Sequence, residues 1–416
     1  MATPGYRERA GERNIRSPAL LARVTLAACL IFWVFVFCDS GWGPLLVPLA
    51  ARLHISLTIA GLFYVSWSTG YLPGALIGGA MLDRYGPRRV LLAASLIVFA
   101  GMTCIYVGLL FPNNLSIGLL LLIAALAGTG GGVIDASTNG LISATYAEKR
   151  GVALNLFNLL YPLAGVLVAL IDSALLRVFH NDPRPSIIFT LGYIACALFS
   201  LFGVPGSYRL ELPAQPIETL LAAAIGQPDQ PPASLLKTLL PVILVMMLTS
   251  GISSSVRAWT PAYLNVAFGQ TPAAAAALSS VTWLLATVSR LGAAILILRT
   301  GSWRLVMLGI AVTLIGLIGM MLSPNVFIAT LAIAVASIGL SPIFATCVAI
   351  GSERVGRAHG SVAGILLFAA GISTVSCGWL FGYLLNSIGP LWAVSFSFAC
   401  IVAGGLLALR LRPARA

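Results

Sequence analysis

Residues 79–89 read GAMLDRYGPRR and join two long apolar runs, at about 57–82 and 89–111. The segment crowds one carboxylate, Asp83, and several guanidinium groups into a single short turn, and Gly86 supplies the backbone freedom that a tight turn needs. Asp83 can pair with cations or with a neighbouring helix end, which would latch two helices in one conformation. The alternative is a loop whose cations only orient the chain in a membrane.

The apolar runs that flank this turn recur along the whole chain. Hydrophobic residues make up 59% of the 416 residues, charged residues make up 9%, and the mean hydropathy is +0.99. A soluble domain carries about 25% charged residues, whereas a helix crossing a ~30 Å hydrocarbon core needs ~20 apolar residues. The runs do not alternate as the strands of an outer-membrane barrel do. The composition therefore predicts an all-α membrane protein.

The runs, broken at glycine, proline and charge clusters, predict twelve transmembrane helices in two groups of six. The predicted spans are about 20–49, 57–82, 89–111, 116–145, 151–176 and 186–206, then 237–264, 273–298, 304–323, 326–351, 360–385 and 390–410. The polar interval 207–236 predicts a linker with a short interfacial helix near 217–225. The expected domains are thus an N-terminal bundle over 1–206, a cytoplasmic linker over 207–236 and a C-terminal bundle over 237–416.

The distribution of Lys and Arg predicts the orientation. With both termini in the cytoplasm, 19 of the 24 basic residues fall in cytoplasmic segments and three in outer ones. This asymmetry is the positive-inside pattern, so the net charge of +12 indicates membrane orientation rather than nucleic-acid binding. We expect a multi-pass protein of the plasma membrane.

Glycines at every fourth position predict close helix packing. Gly70, Gly74 and Gly78 share one face of span 2, and Gly378 and Gly382 share one face of span 11. Small residues at this spacing let helix backbones approach closely in lipid. We expect spans 2 and 11 to meet, although such glycines can also relieve only local crowding.

The segment 79–89 resembles the signature loop G-x-x-x-D-R-x-G-R-R of the major facilitator superfamily, with Pro87 in the variable position. The resemblance implies two six-helix bundles around a central cavity and transport by alternating access. It also implies a weaker second copy of the loop, for which residues 290–304 stand in the corresponding place without an acid. The predicted conformational gate comprises Gly79, Asp83, Arg84, Gly86, Arg88, Arg89 and Arg290.

Span 4 contains the glycine-rich segment 128–139, GTGGGVIDASTN. Asp135 and Asn139 are four residues apart and share a helix face, and a carboxylate inside a membrane points to a proton or solute pathway. The alternative is a protonated Asp135 that only bonds to a neighbouring helix. The pair resembles the acid-x-x-x-Asn motif of the fucose/glucose/galactose:H⁺ symporter branch. In span 5, Asn158 stands where that branch has a histidine.

Spans 1 and 7 hold the other ionisable candidates. Asp39 precedes Gly41-Trp42-Gly43-Pro44, which predicts a kinked or unwound helix lining a cavity. In span 7, Arg257 replaces the acid expected nearby in the sugar branch, and it either faces the cavity or reaches the outer interface. Trp259 and Tyr263 either stack on a solute or belong to the aromatic belt.

These features predict a secondary active transporter of a small solute, a sugar or a related polar compound, that is coupled to protons. Asp135 and Asp39 are the predicted proton-coupling residues, and Asn139, Arg257, Trp259 and Tyr263 the predicted solute ligands. An exporter of drugs or metabolites, including anionic ones, is the alternative within transporters. A non-transporting membrane receptor is the alternative of another class.

Several functions lack the residues that they need. An ATP-driven pump requires a phosphate-binding G-x-x-x-x-G-K-[ST] loop, which does not occur, and the three histidines are too scattered for a metal or catalytic cluster. We therefore expect no enzyme activity, no catalytic or metal-binding residues and no cofactor. The expected partners are a small-molecule solute, protons and the lipid bilayer, with no nucleic acid, and the expected oligomeric state is a monomer.

Overall fold

The structure is a computed structural model that describes residues 18–112, 116–146, 150–204, 232–355 and 359–412. Every regular element within these ranges is helical, and many large apolar side chains are exposed, as expected for helix faces that contact lipid. The prediction of an all-α membrane protein is therefore confirmed. The predicted linker 207–236 lies almost wholly outside the described residues, and its helix near 217–225 lies wholly outside them.

Twelve spans follow one another along the described chain, and two of them are broken into two helices. The first six are span 1 (Pro18–Leu53), span 2 (Leu57–Tyr85), span 3 (Pro87–Leu110), span 4 (Ile117–Thr145), span 5 (Arg150–Asn158 and Leu160–Val178) and span 6 (Arg184–Ser200). The remainder are span 7 (Pro232–Phe268), span 8 (Pro272–Thr300), span 9 (Ser302–Met321), span 10 (Val326–Leu340 and Ile343–Val355), span 11 (His359–Ser387) and span 12 (Pro390–Leu409).

Span 2 differs from the other spans in composition. Eleven of the described helices are long and apolar enough to cross a membrane, and span 2 is absent from that set although it has 29 residues. Its sequence includes five glycines and three tyrosines. These residues lower the mean hydropathy of span 2, which packs along span 4.

Span 1 is one continuous helix, so of the two expectations for Gly41–Pro44 the unwound helix is wrong, and the kink stays a prediction. Pro44 and Pro48 both lie inside the helix Pro18–Leu53. Each proline removes a single backbone hydrogen bond, and packing holds the remainder of the helix together. A methyl group at Gly43 would lie 2.9 Å from the carbonyl oxygen of Ala258 in span 7. Glycine here permits close packing against span 7.

The glycines of spans 2 and 4 interlock. A methyl group at Gly74 would lie 2.1 Å from the carbonyl oxygen of Thr129, and one at Gly132 would lie 2.2 Å from that of Tyr71. Both distances are far below van der Waals contact, so only glycine fits. Gly128 and Gly132 of the glycine run in span 4 are therefore explained by backbone contact with span 2, and Gly130 by contact with Ala94 of span 3. The contact with span 2 fixes the height of Asp135 relative to Tyr71.

Spans 2 and 11 also pack together, as expected, although through other residues of span 2. Gly378 faces the ring of Tyr64, Gly371 faces Leu72, and Asn386 donates a hydrogen bond of 3.0 Å to the hydroxyl oxygen of Thr58. The last contact lies at the end of the bundle where span 1 finishes, which we call the Leu53 end. The opposite end is the Pro18 end.

The loops after spans 2 and 8 repeat one backbone conformation at the Pro18 end. Gly86 has φ 80° and ψ 158°, and Gly301 has φ 78° and ψ 162°. Both glycines end one span and begin the next, in the left-handed region that glycine tolerates. The sequence echo between segments 79–89 and 290–304 thus corresponds to a repeated turn.

Candidate functional site

Asp39 lies in the middle of span 1 and accepts hydrogen bonds from two aromatic side chains. The indole Nε1 of Trp67 donates to its Oδ1 at 3.0 Å, and the phenol of Tyr161 donates to its Oδ2 at 2.6 Å. Trp67 belongs to span 2 and Tyr161 to span 5. The carboxyl group thus joins three spans, and it is only partly buried.

Asp135 in span 4 has a similar environment. The phenol of Tyr71 donates to its Oδ2 at 2.5 Å, and the amide of Asn139 donates to its Oδ1 at 2.8 Å. Asn158, at the break in span 5, donates in turn to the side-chain oxygen of Asn139 at 2.9 Å. Asp135, Asn139 and Asn158 therefore form a chain of hydrogen bonds, and Asn158 at its end is exposed.

One aromatic ring lies between the two acids. The ring of Phe35 stacks on Tyr71 at a centroid distance of 5.5 Å and lies 6.1 Å from the ring of Tyr161. Tyr71 holds Asp135 and Tyr161 holds Asp39, so the two carboxyl groups belong to one cluster. In the described part of the chain, the ion pair present is Asp182–Arg184 in the loop before span 6. The acids are thus held by neutral donors.

Arg257 lies inside the bundle and donates to hydroxyl groups rather than to Asp135. Its Nη1 donates to Ser253 at 2.6 Å, and its guanidinium carbon lies 5.7 Å from the centroid of the Trp283 ring. The ring of Tyr161 meets Trp283 edge-on at 5.7 Å. Tyr161 and Trp283 thus connect Arg257 to Asp39, and of the two positions expected for Arg257 the structure shows the inner one.

Arg290 lies away from the loop with which it was predicted to form a gate. Its Nε donates to the hydroxyl oxygen of Ser341 at 3.2 Å, at the break in span 10. Arg257 and Arg290 line one small cavity between spans 5, 7, 8 and 10. Its volume is about 10 Å³, which is roughly the space that one water molecule needs. A gating role for Arg290 stays a prediction.

Trp259 and Tyr263 lie deeper in the protein than either expectation placed them. Trp259 is 1% exposed, and its ring fills the space over Gly61 in span 2 and Gly382 in span 11. Tyr263 is 3% exposed and donates to the carbonyl oxygen of Met320 at 3.4 Å. In this conformation the ring of Trp259 packs between spans 2 and 11 at the Leu53 end. The role of Trp259 and Tyr263 as solute ligands stays a prediction.

The signature loop is described in part. Gly86 donates its backbone N–H to the carbonyl oxygen of Leu82 and so ends span 2, and the guanidinium of Arg88 lies 5.5 Å from the ring of Phe202. Arg84 lies over the ring of Tyr85 at 5.4 Å, Arg89 is exposed, and Gly79 has open space beside it. The side chain of Asp83 lies outside the described set. The proposed role of Asp83 in holding two helices in one conformation therefore stays a prediction.

Sequence reasoning missed the aromatic donors that hold the acids. Trp67 and Tyr71 are four residues apart in span 2 and share one face, and Tyr161 follows Asn158 by three. Polar aromatic side chains at helical spacing inside an apolar run are a usable signal, because each buried N–H or O–H needs an acceptor. The acceptors here are Asp39 and Asp135.

Comparisons with known proteins agree with this architecture. The sequence profile of the Major Facilitator Superfamily matches residues 28–376. Sodium-dependent glucose transporter 1 of Danio rerio is 28% identical over 159 residues, which are 38% of this chain and 26% of that protein. Probable anion transporter 3, chloroplastic, of Arabidopsis thaliana is 26% identical over 307 residues, 68% of this chain and 57% of that protein. The matches span less than two thirds of either relative.

A solved structure shares the whole fold. The xylose transporter XylE from E. coli, in a partially occluded inward-open conformation, superposes with a TM-score of 0.72 at 15% identity. The superposition covers 94% of this chain and 98% of that one. The fold and the profile match over residues 28–376 agree with each other. The chain belongs to the Major Facilitator Superfamily.

Proposed function

We propose that this transporter of the Major Facilitator Superfamily moves a small polar solute together with protons by alternating access. The observation that carries the proposal is the pair of acids, Asp39 and Asp135, each held by a tyrosine hydroxyl inside the bundle. A carboxyl group inside a membrane is costly to ionise, and it typically marks a pathway for protons or ions. Asp39 and Asp135 are the proposed proton-coupling residues.

The hydrogen bonds suggest how a proton would matter. A carboxylate accepts both the Tyr71 hydroxyl and the Asn139 amide, whereas a protonated carboxyl must itself donate from one oxygen. Protonation of Asp135 would thus rearrange its bonds to spans 2 and 4, and through Asn139 to the break in span 5. Asp135 and its partners would thus have two arrangements of hydrogen bonds, one with the proton bound and one without it. Asn139 is the proposed link between this change and the solute.

The packing at the Leu53 end supports the alternating-access part of the proposal. Gly43 packs on Ala258, Trp259 lies over Gly61 and Gly382, and Thr58 bonds to Asn386. These contacts join spans 1 and 2 to spans 7 and 11, and they would have to separate to open this end. We propose that the two groups of spans over 1–206 and 237–416 are the two rocking bundles. The Leu53 end then faces outward, with both termini in the cytoplasm and the protein in the plasma membrane.

A sugar or a related polar compound is the proposed solute class. Its support is the motif Asp135-x-x-x-Asn139 with Asn158, similar to that of the fucose/glucose/galactose:H⁺ symporter branch, together with a glucose transporter among the relatives. Asn139 would bind a hydroxylated ring only after its bonds to Asp135 and Asn158 rearrange. Arg257 is the proposed charged ligand.

Uptake into proteoliposomes tests the proposal. Purified protein would be reconstituted and given an acid-outside pH gradient with radiolabelled D-glucose, D-xylose, L-fucose or D-glucuronate. We expect at least one solute to accumulate above equilibrium and to leak out again when a protonophore collapses the gradient. Accumulation that persists with the protonophore would exclude proton coupling. The absence of both accumulation and counterflow for every solute would contradict sugar-class transport.

A further inference from the structure

The cavity between spans 5, 7, 8 and 10 has two cationic side chains and no acidic one in its lining. Its polar lining consists of the two guanidinium groups and three hydroxyl groups, and its apolar lining comes from spans 5, 8 and 10. These residues are Arg257, Arg290, Ser253, Ser337 and Ser341, then Pro162, Trp283, Ala286 and Leu340. Two like charges beside one cavity repel each other, so an anion between them would lower the free energy of both.

The contacts of the two arginines leave capacity for a ligand. A guanidinium has five N–H groups. The hydrogen bonds described for Arg257 go to Ser253 and Ser254, and the one described for Arg290 goes to Ser341. All three acceptors are neutral hydroxyl oxygens. A buried cation normally pairs with an anion or shares several acceptors, and in the part of the chain described here neither arginine forms an ion pair.

Asp39 does not line this cavity. Its carboxyl group is bonded to Trp67 and Tyr161, and the ring of Tyr161 packs edge-on against Trp283. Trp283 is the wall over which Arg257 lies at 5.7 Å. The acid and the arginine are thus on two sides of an aromatic pair. Tyr161 and Trp283 thus stand between Asp39 and an anion beside Arg257, so that the two acidic groups make no direct contact.

We propose that this cavity binds the carboxylate group of a small organic monoanion, with Arg257 and Arg290 as its cationic ligands. This inference rests on the proposed function and narrows its solute to an acidic sugar or a similar monocarboxylate. Arginine binds a planar carboxylate through two parallel hydrogen bonds, and the serine hydroxyls can donate further ones. The apolar part of the lining disfavours a dianion such as phosphate, because a second charge greatly raises the cost of dehydration.

The size of the cavity sets a condition on binding. At about 10 Å³ it holds no carboxylate in the present conformation. Ser341 and Arg290 lie at the break of span 10, and Pro162 follows the break of span 5. Movement at these two breaks would widen the cavity between them. Binding is therefore tied to the conformational change that alternating access requires.

Thermal unfolding of the purified full-length protein in detergent tests the proposal. Monocarboxylates would be compared with uncharged partners at constant ionic strength: D-glucuronate with D-glucose, lactate with lactamide, and benzoate with benzamide. Sodium chloride and inorganic phosphate would serve as anion controls. We expect at least one carboxylate to raise Tm in a saturable way, with no shift from its uncharged partner.

Four variants test whether the effect arises at the cavity. Arg257→Gln and Arg290→Gln should each weaken the carboxylate's apparent Kd by at least about 30-fold, which is the usual cost of removing one partner from a buried charged contact. The control Arg299→Gln removes an exposed cation at the end of the same span as Arg290 and should leave Kd unchanged. Arg257→Lys keeps the positive charge. If it binds the carboxylate more tightly than Arg257→Gln does, the loss of affinity in Arg257→Gln is not caused by misfolding.

The proposal is overturned if no carboxylate raises Tm, or if the uncharged partners, chloride or phosphate raise Tm as much as the carboxylates do. It is also overturned if the Kd of the carboxylate is unchanged in both Arg257→Gln and Arg290→Gln. The proposed function fails separately. If a neutral sugar accumulates under a pH gradient in wild type and in both arginine variants, transport stands and the carboxylate site does not. If no solute moves or exchanges, the proposed function itself is contradicted.

Discussion

Tyr71 donates a hydrogen bond from span 2 to the carboxyl group of Asp135 in span 4. The two residues are brought together by glycines, because Gly132 lies against the carbonyl oxygen of Tyr71 and Gly74 lies against that of Thr129. The glycine run of span 4 and the acid that follows it therefore act together. The glycines set the distance between the spans, and the acid uses the hydroxyl group that this distance places within reach.

Removing the Tyr71 hydroxyl should weaken this contact without disturbing the packing. Tyr71→Phe keeps the ring that stacks on Phe35 but deprives Asp135 of a donor. A hydrogen bond to a charged group contributes about 1.5–3 kcal/mol, so we expect a loss of that order in stability, seen as a lower Tm. The control Tyr85→Phe, at the exposed end of the same span, should have no effect. Equal Tm values for Tyr71→Phe and wild type would show that the contact stabilises nothing.

The interlocked glycines give a second prediction. A methyl group at Gly132 would lie 2.2 Å from the carbonyl oxygen of Tyr71, so Gly132→Ala must push spans 2 and 4 apart. We expect destabilisation of about 1–3 kcal/mol, as for other overpacked sites, and a lower Tm. Gly118→Ala in the same span meets no atom within 4 Å and should be neutral or slightly stabilising. Similar Tm values for the two variants would refute the interlocked packing.

A cross-link at the Leu53 end should block transport. Thr58 and Asn386 share a hydrogen bond of 3.0 Å between spans 2 and 11, so a Thr58→Cys/Asn386→Cys protein should form a disulfide when oxidised. Uptake into proteoliposomes should then fall to the level of empty vesicles and recover after reduction. Each single cysteine variant should transport equally with and without oxidant. Unchanged uptake in the cross-linked protein would mean that this end does not open.

The ion pair in the loop between spans 5 and 6 should make the stability of the protein depend on pH. Partial burial acts to raise the pKa of Asp182, but hydrogen bonds from the side chain and backbone of Arg184 hold it below its ordinary value of 3.8. A lowered pKa means that the contact stabilises the fold above pH 3.8 and that this contribution is lost as the pH falls below it.

Because the pair is partly exposed, its contribution is limited. Side-chain exposures of 32% for Arg184 and 23% for Asp182 make about 0.2–1 kcal/mol the expected size. Asp182→Asn should therefore lower Tm slightly at pH 7, and the difference from wild type should shrink as the pH falls below 3.8 through the lowered pKa of Asp182. A difference that does not shrink at all as the pH is lowered would assign the effect to capping of span 6 rather than to the ion pair.

The sequence predicts the fold well because the membrane imposes strong rules on composition. Span lengths, the turn at Gly86 and its echo at Gly301 all follow from local patterns. Span 1 shows the limit of such patterns. Its glycines and prolines predict a kinked or unwound helix, whereas the structure keeps the helix continuous and packs Gly43 against Ala258. A contact between residues more than two hundred positions apart leaves no local signal.

The residues of the candidate site could likewise be predicted only in part from the sequence. Asp39, Asp135 and Asn139 could be singled out because polar residues are rare in membrane spans. Their donors Trp67, Tyr71 and Tyr161 could not be assigned, since aromatic residues are common there and their partners depend on how the spans pack. Trp259 was equally ambiguous, and its burial over Gly61 and Gly382 is decided by two distant spans.

Concentrative uptake and counterflow, measured side by side for Asp135→Asn and wild type, decide whether Asp135 couples transport to protons. In proteoliposomes with an acid-outside gradient, the variant should fail to accumulate solute above equilibrium, because the asparagine side chain cannot bind and release a proton. Its counterflow with no gradient should persist, since binding and rocking need no proton on this residue. If Asp135→Asn still accumulated solute to the wild-type level in response to the pH gradient, Asp135 would not be the proton-coupling residue.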